Sequence, residues 1–297
     1  MLSIITLFTV VATALAAMPL PFTRELELTS PFMSGNDVII AQNLLIRDNA
    51  VDSHLDCDGT YGSLSAEATS AFQNANKLID TGILNEETAQ LLLDLHSNDN
   101  YKDNGFTAAS MGYLYKLHIP VYSNRSIETE ATLYDSENNI LMQFIVRSHG
   151  HRNDGSSEPW PDYGNGDVGL NEFTSNGATV TGLIEIDLNS PEPTPSMYGP
   201  WPVNRFVAGL QGNSAFLQPN IRDGILLHTG NWTTDTVDWD NSMAMPDSSG
   251  CVHGHPNDVE RVYRELIKIG VEIHDNTFSG KDYPYKPQGI AVVERID

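Results

Sequence analysis

Ser248-Ser249-Gly250-Cys251-Val252-His253-Gly254-His255 holds one of only two cysteines in 297 residues. It follows Met245-Pro246-Asp247 in a loop rich in Gly, Ser and Asp. A segment of helical character runs from about Asp258 to Ile269 behind it. Upstream, His228 ends the apolar run Gly224-Ile225-Leu226-Leu227. A thiol at a loop-to-helix junction, with a histidine available, is the pattern of a cysteine nucleophile.

Cys251 needs a base, because a thiol at its ordinary pKa is only a few per cent thiolate at neutral pH. His228 is the best candidate. One ring nitrogen can face the thiol, while the other needs an orienting carboxylate or carbonyl. The two residues are 251 − 228 = 23 positions apart, so only the fold can join them. Gly250 is small enough to let backbone N–H groups approach a substrate carbonyl, and Gly250, Cys251 and their neighbours are candidate oxyanion donors. His149-Gly150-His151 and His253-Gly254-His255 have a spacing able to bind zinc from a strand. No His-Glu-x-x-His signature accompanies them, so neither metal nor cofactor is expected, and His149 and His151 read as loop residues.

The chain is long enough for two domains. Hydrophobic content of 40% and charged content of 19% describe a globular protein. A net charge of −23, from 39 acidic and 16 basic residues, argues against nucleic acid and anionic membranes as partners. It favours amine-bearing ligands, or serves solubility alone. Residues 1–17 read as a signal peptide: Leu2 to Leu15 is almost wholly apolar and Ala14-Leu15-Ala16 is a small-x-small cleavage site. A secreted protein with no membrane association after cleavage is expected. Sequons stand at Asn124-Arg125-Ser126 and Asn231-Trp232-Thr233; the second, near His228, is expected to stay unmodified. Cys57 and Cys251 form either one long-range disulfide or one structural and one working thiol. The surroundings of Cys251 favour the second.

Met18 to Ser30 reads as an extended leader. Helices come next, with Asp37, Ser65 and Asn85 as N-caps and a turn-rich loop at Asp56–Gly62. Ser97 to Met111 is polar and reads as a linker. Beyond it the pattern is β: a hairpin at Ile127–Tyr134 and Ile140–Val146, an irregular insertion over Ser148–Asn176, and strands at Thr179–Leu188, Arg205–Gly209 and Gly224–His228. The helix at 258–269 stops at Gly270, and a strand is expected at Val271–Ile273.

Two stretches resemble known families. Asp58-Gly59-Thr60-Tyr61-Gly62, Ala68-Thr69, Ala71-Phe72-Gln73, Leu78, and Asp80-Thr81-Gly82-Ile83-Leu84 followed by Glu87-Thr88 resemble the peptidoglycan-binding domain, a three-helix module, over residues 32–96. His228-Thr229-Gly230 and Ser248-Ser249-Gly250-Cys251-Val252-His253 resemble the L,D-transpeptidase (YkuD-like) catalytic domain over residues 112–297. Gly177-Ala178-Thr179-Val180-Thr181-Gly182 looks like that family's Thr-Pro-x-Gly segment, with Val180 in place of Pro. His253 stands where the family has Arg or Asn, Ser249 where many members have His, and Thr233–Asn241 is inserted between base and thiol, with Asp235, Asp238 and Asp240 available to a substrate ammonium.

The resemblance implies an α+β multidomain protein: signal peptide 1–17, helical module 32–96, linker 97–111, and a mostly β catalytic domain at 112–297 with a C-terminal helix. It implies that Cys251 attacks a peptidoglycan tetrapeptide stem with His228 as base. The Thr229 carbonyl orients the ring, and Ser248, Ser249, Gly250 and His253 support the site. The implied partners are stem peptides and wall glycan, outside the cell (cell wall or periplasm in a bacterium). The same Cys-His pair also fits an L,D-carboxypeptidase, and a non-catalytic wall-binding protein is the other alternative.

Overall fold

A computed structural model describes residues 17–157, 168–232, 242–276 and 282–297. Nearly all of the expected signal peptide, and the whole Thr233–Asn241 insertion with its three aspartates, lie outside the described residues. Among those described, no helix is long and apolar enough to cross a membrane.

The first part of the chain comprises β1 (Met33–Ser34), α1 (Asn36–Leu45), β2 (Thr60–Tyr61), α2 (Ser63–Ala75) and α3 (Glu86–His96). Three short helices hold together because each buries an apolar stripe: Val38, Ala41 and Leu45 from α1, Ala68 and Phe72 from α2, Ala89, Leu92 and Leu93 from α3. Asn85 caps α3, its side chain accepting from the Thr88 N–H at 3.0 Å. The other two expected caps lie elsewhere. Gly35 precedes α1, and Asp37, inside the first turn, pairs with Arg24 Nε at 2.7 Å. Ser65 is the third residue of α2 and is buried. It accepts from Gln42 Nε2 at 3.0 Å, and Gln42 also binds Asp58, Gly59 and Thr60. A buried amide that needs partners thus fixes the turn-rich loop. Met18–Ser30 is not a free leader. Phe22 and Leu26 are wholly buried, and Leu26 pairs with Leu84.

Residues 97–111 do not hang free between two bodies. Asp99 Oδ2 accepts from the Asn213 N–H at 2.8 Å and from Thr181 Oγ1 at 3.0 Å. Asp103 pairs with Lys116 Nζ at 2.9 Å, and Ala108 packs in a small core with Leu183, Ile290 and Val292. Just after α1, Arg47 donates to the His96 carbonyl at 2.7 Å and to Asn213 Oδ1 at 2.6 Å. The helical part is therefore anchored on the β part of the chain.

That β part is a closed eight-stranded barrel. Its strands are β3 (Tyr115–Val121), β4 (Thr129–Asp135), β5 (Ile140–Arg147), β6 (Gly182–Asn189), β7 (Val203–Gln211), β8 (Leu226–His228), β9 (Val252–Gly254) and β10 (Gly289–Arg295). Around the barrel the order is β10, β3, β4, β5, β9, β8, β7, β6. Only β10–β3 and β8–β9 pair in parallel. Short helices α4 (Pro195–Tyr198) and α5 (Ser214–Leu217) flank β7, and α6 (Pro256–Lys268) comes after β9. The expected strand at 271–273 is absent, and only His274 bridges to Asn189. Helix α6 is not the last element, because β10 comes after it and closes the barrel between β3 and β6. Both β3 and β10 escape the period-2 pattern. Ile290 to Val293 are all buried, and so are Tyr115, Lys116 and Leu117, so neither strand alternates.

Candidate functional site

Strands β8 and β9 run side by side with Leu227 opposite Val252 and His228 opposite His253. Side chains alternate along a strand. Leu227 and Val252 point into the apolar core. His228 and His253 therefore share the other face, with Cys251, one residue before Val252, on the same side. The parallel register closes the 23-residue gap between His228 and Cys251. It places Cys251 diagonally across the β8–β9 pair from His228, on the same side.

His228 is 3% exposed. Its Nδ1 meets the Thr229 carbonyl at 2.7 Å, and a carbonyl only accepts, so Nδ1 carries the proton and Nε2 keeps its lone pair. Burial pushes the imidazole pKa down to about 4 against the opposing pull of the Thr229 carbonyl. The ring lies edge-on to His253, with centroids 4.7 Å apart, and 5.0 Å from Tyr198. His253 is also buried. Its Nδ1 donates to the Pro246 carbonyl at 2.9 Å, and Trp232 packs 4.8 Å away. Burial first, then neighbouring His228, holds its pKa well below the usual range. It sits as a second neutral imidazole.

The half-buried Cys251 thiol makes a long contact with the Gly224 carbonyl at 3.7 Å. Burial raises its pKa to about 11, against the Leu226 backbone and the Arg222 and Arg205 guanidinium groups. At rest the pair is neutral thiol and neutral imidazole rather than an ion pair. Cys57 is likewise a free thiol, raised by burial and by Asp56 and Asp58, so the alternative of a Cys57–Cys251 disulfide is not realised.

The loop before Cys251 is held from several segments. Ser248 Oγ donates to the Cys251 carbonyl at 2.7 Å and accepts from the Gly250 N–H at 3.1 Å. Thr179 Oγ1 donates to the Gly250 carbonyl at 2.9 Å. The His149 carbonyl accepts from the Ser248 N–H at 2.9 Å, and His151 Nε2 lies 3.4 Å from Ser249 Oγ. The first His-x-His pair thus braces this loop rather than lying apart from it. Among the described residues, no group of three or more His, Cys, Asp or Glu side chains is set to hold a metal. The Gly250 N–H, expected to face an oxyanion, is instead committed to Ser248.

Gly250 is needed for another reason. Its φ is +116°, and a Cβ there would stand 2.1 Å from Arg222 Nη2. Arg222 is the residue that sequence reasoning misses. It donates to the carbonyls of Gly177 at 3.0 Å, Ser249 at 3.1 Å and Ala178 at 3.2 Å, and also to that of Glu172. It is buried, its pKa lowered to about 10 by burial, and it places positive charge beside the thiol. In Asn220-Ile221-Arg222-Asp223-Gly224 nothing separates it from a solvated loop charge. Gly250→Ala is expected to lower thermal stability by more than about 1 kcal/mol and to impair any Cys251 chemistry, because both backbone and Arg222 must move. A melting curve and a thiol-alkylation rate on the same variant check both.

Protonating His228 is expected to destabilise the fold. Its folded pKa of about 4 lies below an ordinary 6.5. Above pH 6.5 both states are neutral and the group contributes nothing. As pH falls from 6.5 to 4 only the unfolded chain takes the proton, so stability drops by about 1.4 kcal/mol per unit, or about 3 kcal/mol in all. His253 adds in the same direction. Denaturant midpoints of wild type and His228→Gln between about pH 7 and pH 4 measure it; the variant should lose less.

Residues 34–92 match the family model "Putative peptidoglycan binding domain". Comparison with curated protein sequences gives no match. Among solved structures, the L,D-transpeptidase (residues 123–326) of Xylanimonas cellulosilytica DSM 15894 is similar at 15% identity, over 92% of this chain and 99% of that one, with a TM-score of 0.30. A fused Zn-dependent amidase/peptidase/peptidoglycan-binding domain-containing protein of Clostridium acetobutylicum ATCC 824 is similar at 14% identity, over 91% and 99%, with a TM-score of 0.24. TM-scores this low do not establish a common fold.

Proposed function

We propose that the protein is a secreted cysteine acyl-transferase acting on peptidoglycan stem peptides, an L,D-transpeptidase in reaction type, with Cys251 as nucleophile and His228 as base. The observation that supports this reading is the parallel β8–β9 register. It sets His228 beside the Cys251 loop, with Nδ1 fixed on the Thr229 carbonyl and Nε2 left to take a proton. The peptidoglycan-binding match over residues 34–92 supports wall material as the partner.

In this mechanism the Cys251 proton passes to His228 Nε2 as sulfur attacks the carbonyl after the L-centre of a tetrapeptide stem. Because thiol and imidazole are both neutral at rest, proton transfer and attack occur together rather than from a preformed thiolate. The tetrahedral oxyanion faces backbone N–H groups near Cys251. Its collapse breaks the C–N bond, the terminal D-residue leaves as an amine carrying the His228 proton, and a thioester remains. An amine of a second stem, deprotonated by His228, attacks the thioester to form the cross-link and return the thiol. Water in place of that amine gives carboxypeptidase activity from the same residues.

Mass spectrometry of muropeptides incubated with the protein tests the reading. A cross-linked dimer less one D-residue supports transfer, and loss of the D-residue alone supports hydrolysis. Unchanged muropeptides from a protein that still binds wall material leave only the binding role.

A further inference from the structure

Arg125 is a buried cation with unspent hydrogen bonds. It is 6% exposed. Nη1 donates to Thr179 O at 3.2 Å and Ser148 Oγ at 3.4 Å. Among the described residues its Nε and Nη2 groups donate to nothing, and no carboxylate lies within 4 Å of the guanidinium. The carboxylates nearby are engaged elsewhere. Glu172 is bound by the Thr181 N–H and by Asn213 Nδ2 at 2.9 Å, Asp99 by Asn213 and Thr181, and Asp297 by Arg295 Nε at 2.8 Å and by Ser123. Glu172 first, then Asp297 and Asp99, offset its charge from beyond ion-pair distance, but none of them takes its hydrogen bonds. Arg222 and Arg205, by contrast, spend theirs on carbonyls and on Glu192.

Arg125 lines a cavity of about 150 Å³, together with Arg295, Glu172, Phe173 and Ser123. The cavity opens beside a groove of about 590 Å³ that shares Ser97, Leu170, Asn171 and Arg295 with it and runs past Gln90 and Asp94 of α3. Neither Cys251 nor His228 lines either space. Two guanidinium groups facing one space repel each other, and Arg295 acts on Arg125 in that sense, while Glu172 in the same lining acts on it more strongly in the opposite one. At about 30 Å³ per water, the cavity has room for a carboxylate carrying a short side group. The Nε–Nη2 edge of Arg125 is the fork that takes a carboxylate bidentately.

We propose that this cavity is a second ligand site, separate from the thiol, in which Arg125 and Arg295 bind the carboxylate of a small acid or of a peptide C-terminus entering along the α3 groove. That the acid is a wall-peptide terminus rests on the function proposed above; the carboxylate chemistry does not. The site also touches the nucleophile loop at one remove, because Thr179 accepts from Arg125 and donates to the Gly250 carbonyl.

The test uses isotopically labelled full-length Cys251→Ala protein, so that no turnover occurs, titrated with sodium acetate, D-alanine and N-acetyl-D-alanyl-D-alanine while amide resonances are followed. Sodium chloride and methylammonium chloride are the controls. The expected result is a saturable shift of Ser123, Phe173 and Thr181 with the carboxylates and none with the controls. Affinity should fall about tenfold in Arg125→Gln, and by less in Arg295→Gln, whose side chain already pairs with Asp297. Binding of acetate and D-alanine but not the dipeptide identifies a site for free small acids. Dipeptide binding at least as tight identifies a peptide terminus. Absence of saturation, equal affinity in Arg125→Gln, or shifts confined to the His228 face overturns the proposal. If Arg125→Gln does not fold, the resonance map and Arg295→Gln still decide. Binding is read without turnover, so inert muropeptides would remove the proposed function and leave this site standing.

Discussion

Cys251→Ala leaves muropeptide tetrapeptides unprocessed, with turnover down by on the order of 10⁴-fold or more, the scale on which removing a covalent nucleophile acts. Folding should be spared. The replaced sulfur is half-buried and makes one long contact, to the Gly224 carbonyl at 3.7 Å. The loop is held by Ser248, Thr179 and Arg222 through backbone atoms that alanine keeps. A melting midpoint within about 2 °C of wild type, alongside lost turnover, separates chemistry from collapse. Alkylation of wild type with iodoacetamide should reproduce the loss, since Cys57 lies in the helical part away from β8 and β9. Turnover that survives the substitution but disappears with a chelator sinks the thiol mechanism in favour of a metal.

His228→Gln is expected to cost about 10²- to 10⁴-fold in kcat/KM, the range of a positioned general base. Glutamine can keep a bond to the Thr229 carbonyl but offers no nitrogen lone pair to the thiol. The wild-type pH profile should fall off on the acid side with a midpoint near 4, where burial places the imidazole. An unburied histidine would give a midpoint near about 6.5. Between that limb and the thiol at about 11 the profile should be flat. The two substitutions should not add: Cys251→Ala/His228→Gln should be no worse than Cys251→Ala, because one proton transfer joins them. An acid limb near about 6.5, or full additivity, contradicts a buried neutral base acting on this thiol.

The candidate site is more legible in the sequence than the scaffold is. Cys251 and His228 stand out because thiols are scarce here and because the histidine ends an apolar run. Asn85 is legible as a cap since capping is local. The long-range features are not legible. Strand β10 shows no alternation because barrel and flanking layers cover both its faces. Arg222 and Arg125 read as loop charges, since nothing in their neighbouring residues says that carbonyls more than forty positions away will close over them. The polar run at 97–111 looks like a tether by composition. Asp99 and Asp103 are instead hydrogen-bond partners for groups of the β part, which composition cannot distinguish from solvent-facing ones. Gly250 stands out as small, but its need for a positive φ and for room beside Arg222 emerges only from the fold.

Strand β10 lies between β3 and β6, so the strand that closes the ring is made after all the other barrel strands. A chain still being synthesised has β8 and β9, and hence Cys251 and His228, before it has a barrel to hold them. β3 must wait for a partner that begins at Gly289, some 170 positions later, a long-range pairing of the kind that slows folding. During that interval the edges of β3 and β6 are unpaired and open to other strands. The nascent protein is therefore at its most aggregation-prone, and the Cys251 loop least well placed, until β10 has paired. The candidate site matures only once β10 has closed the ring.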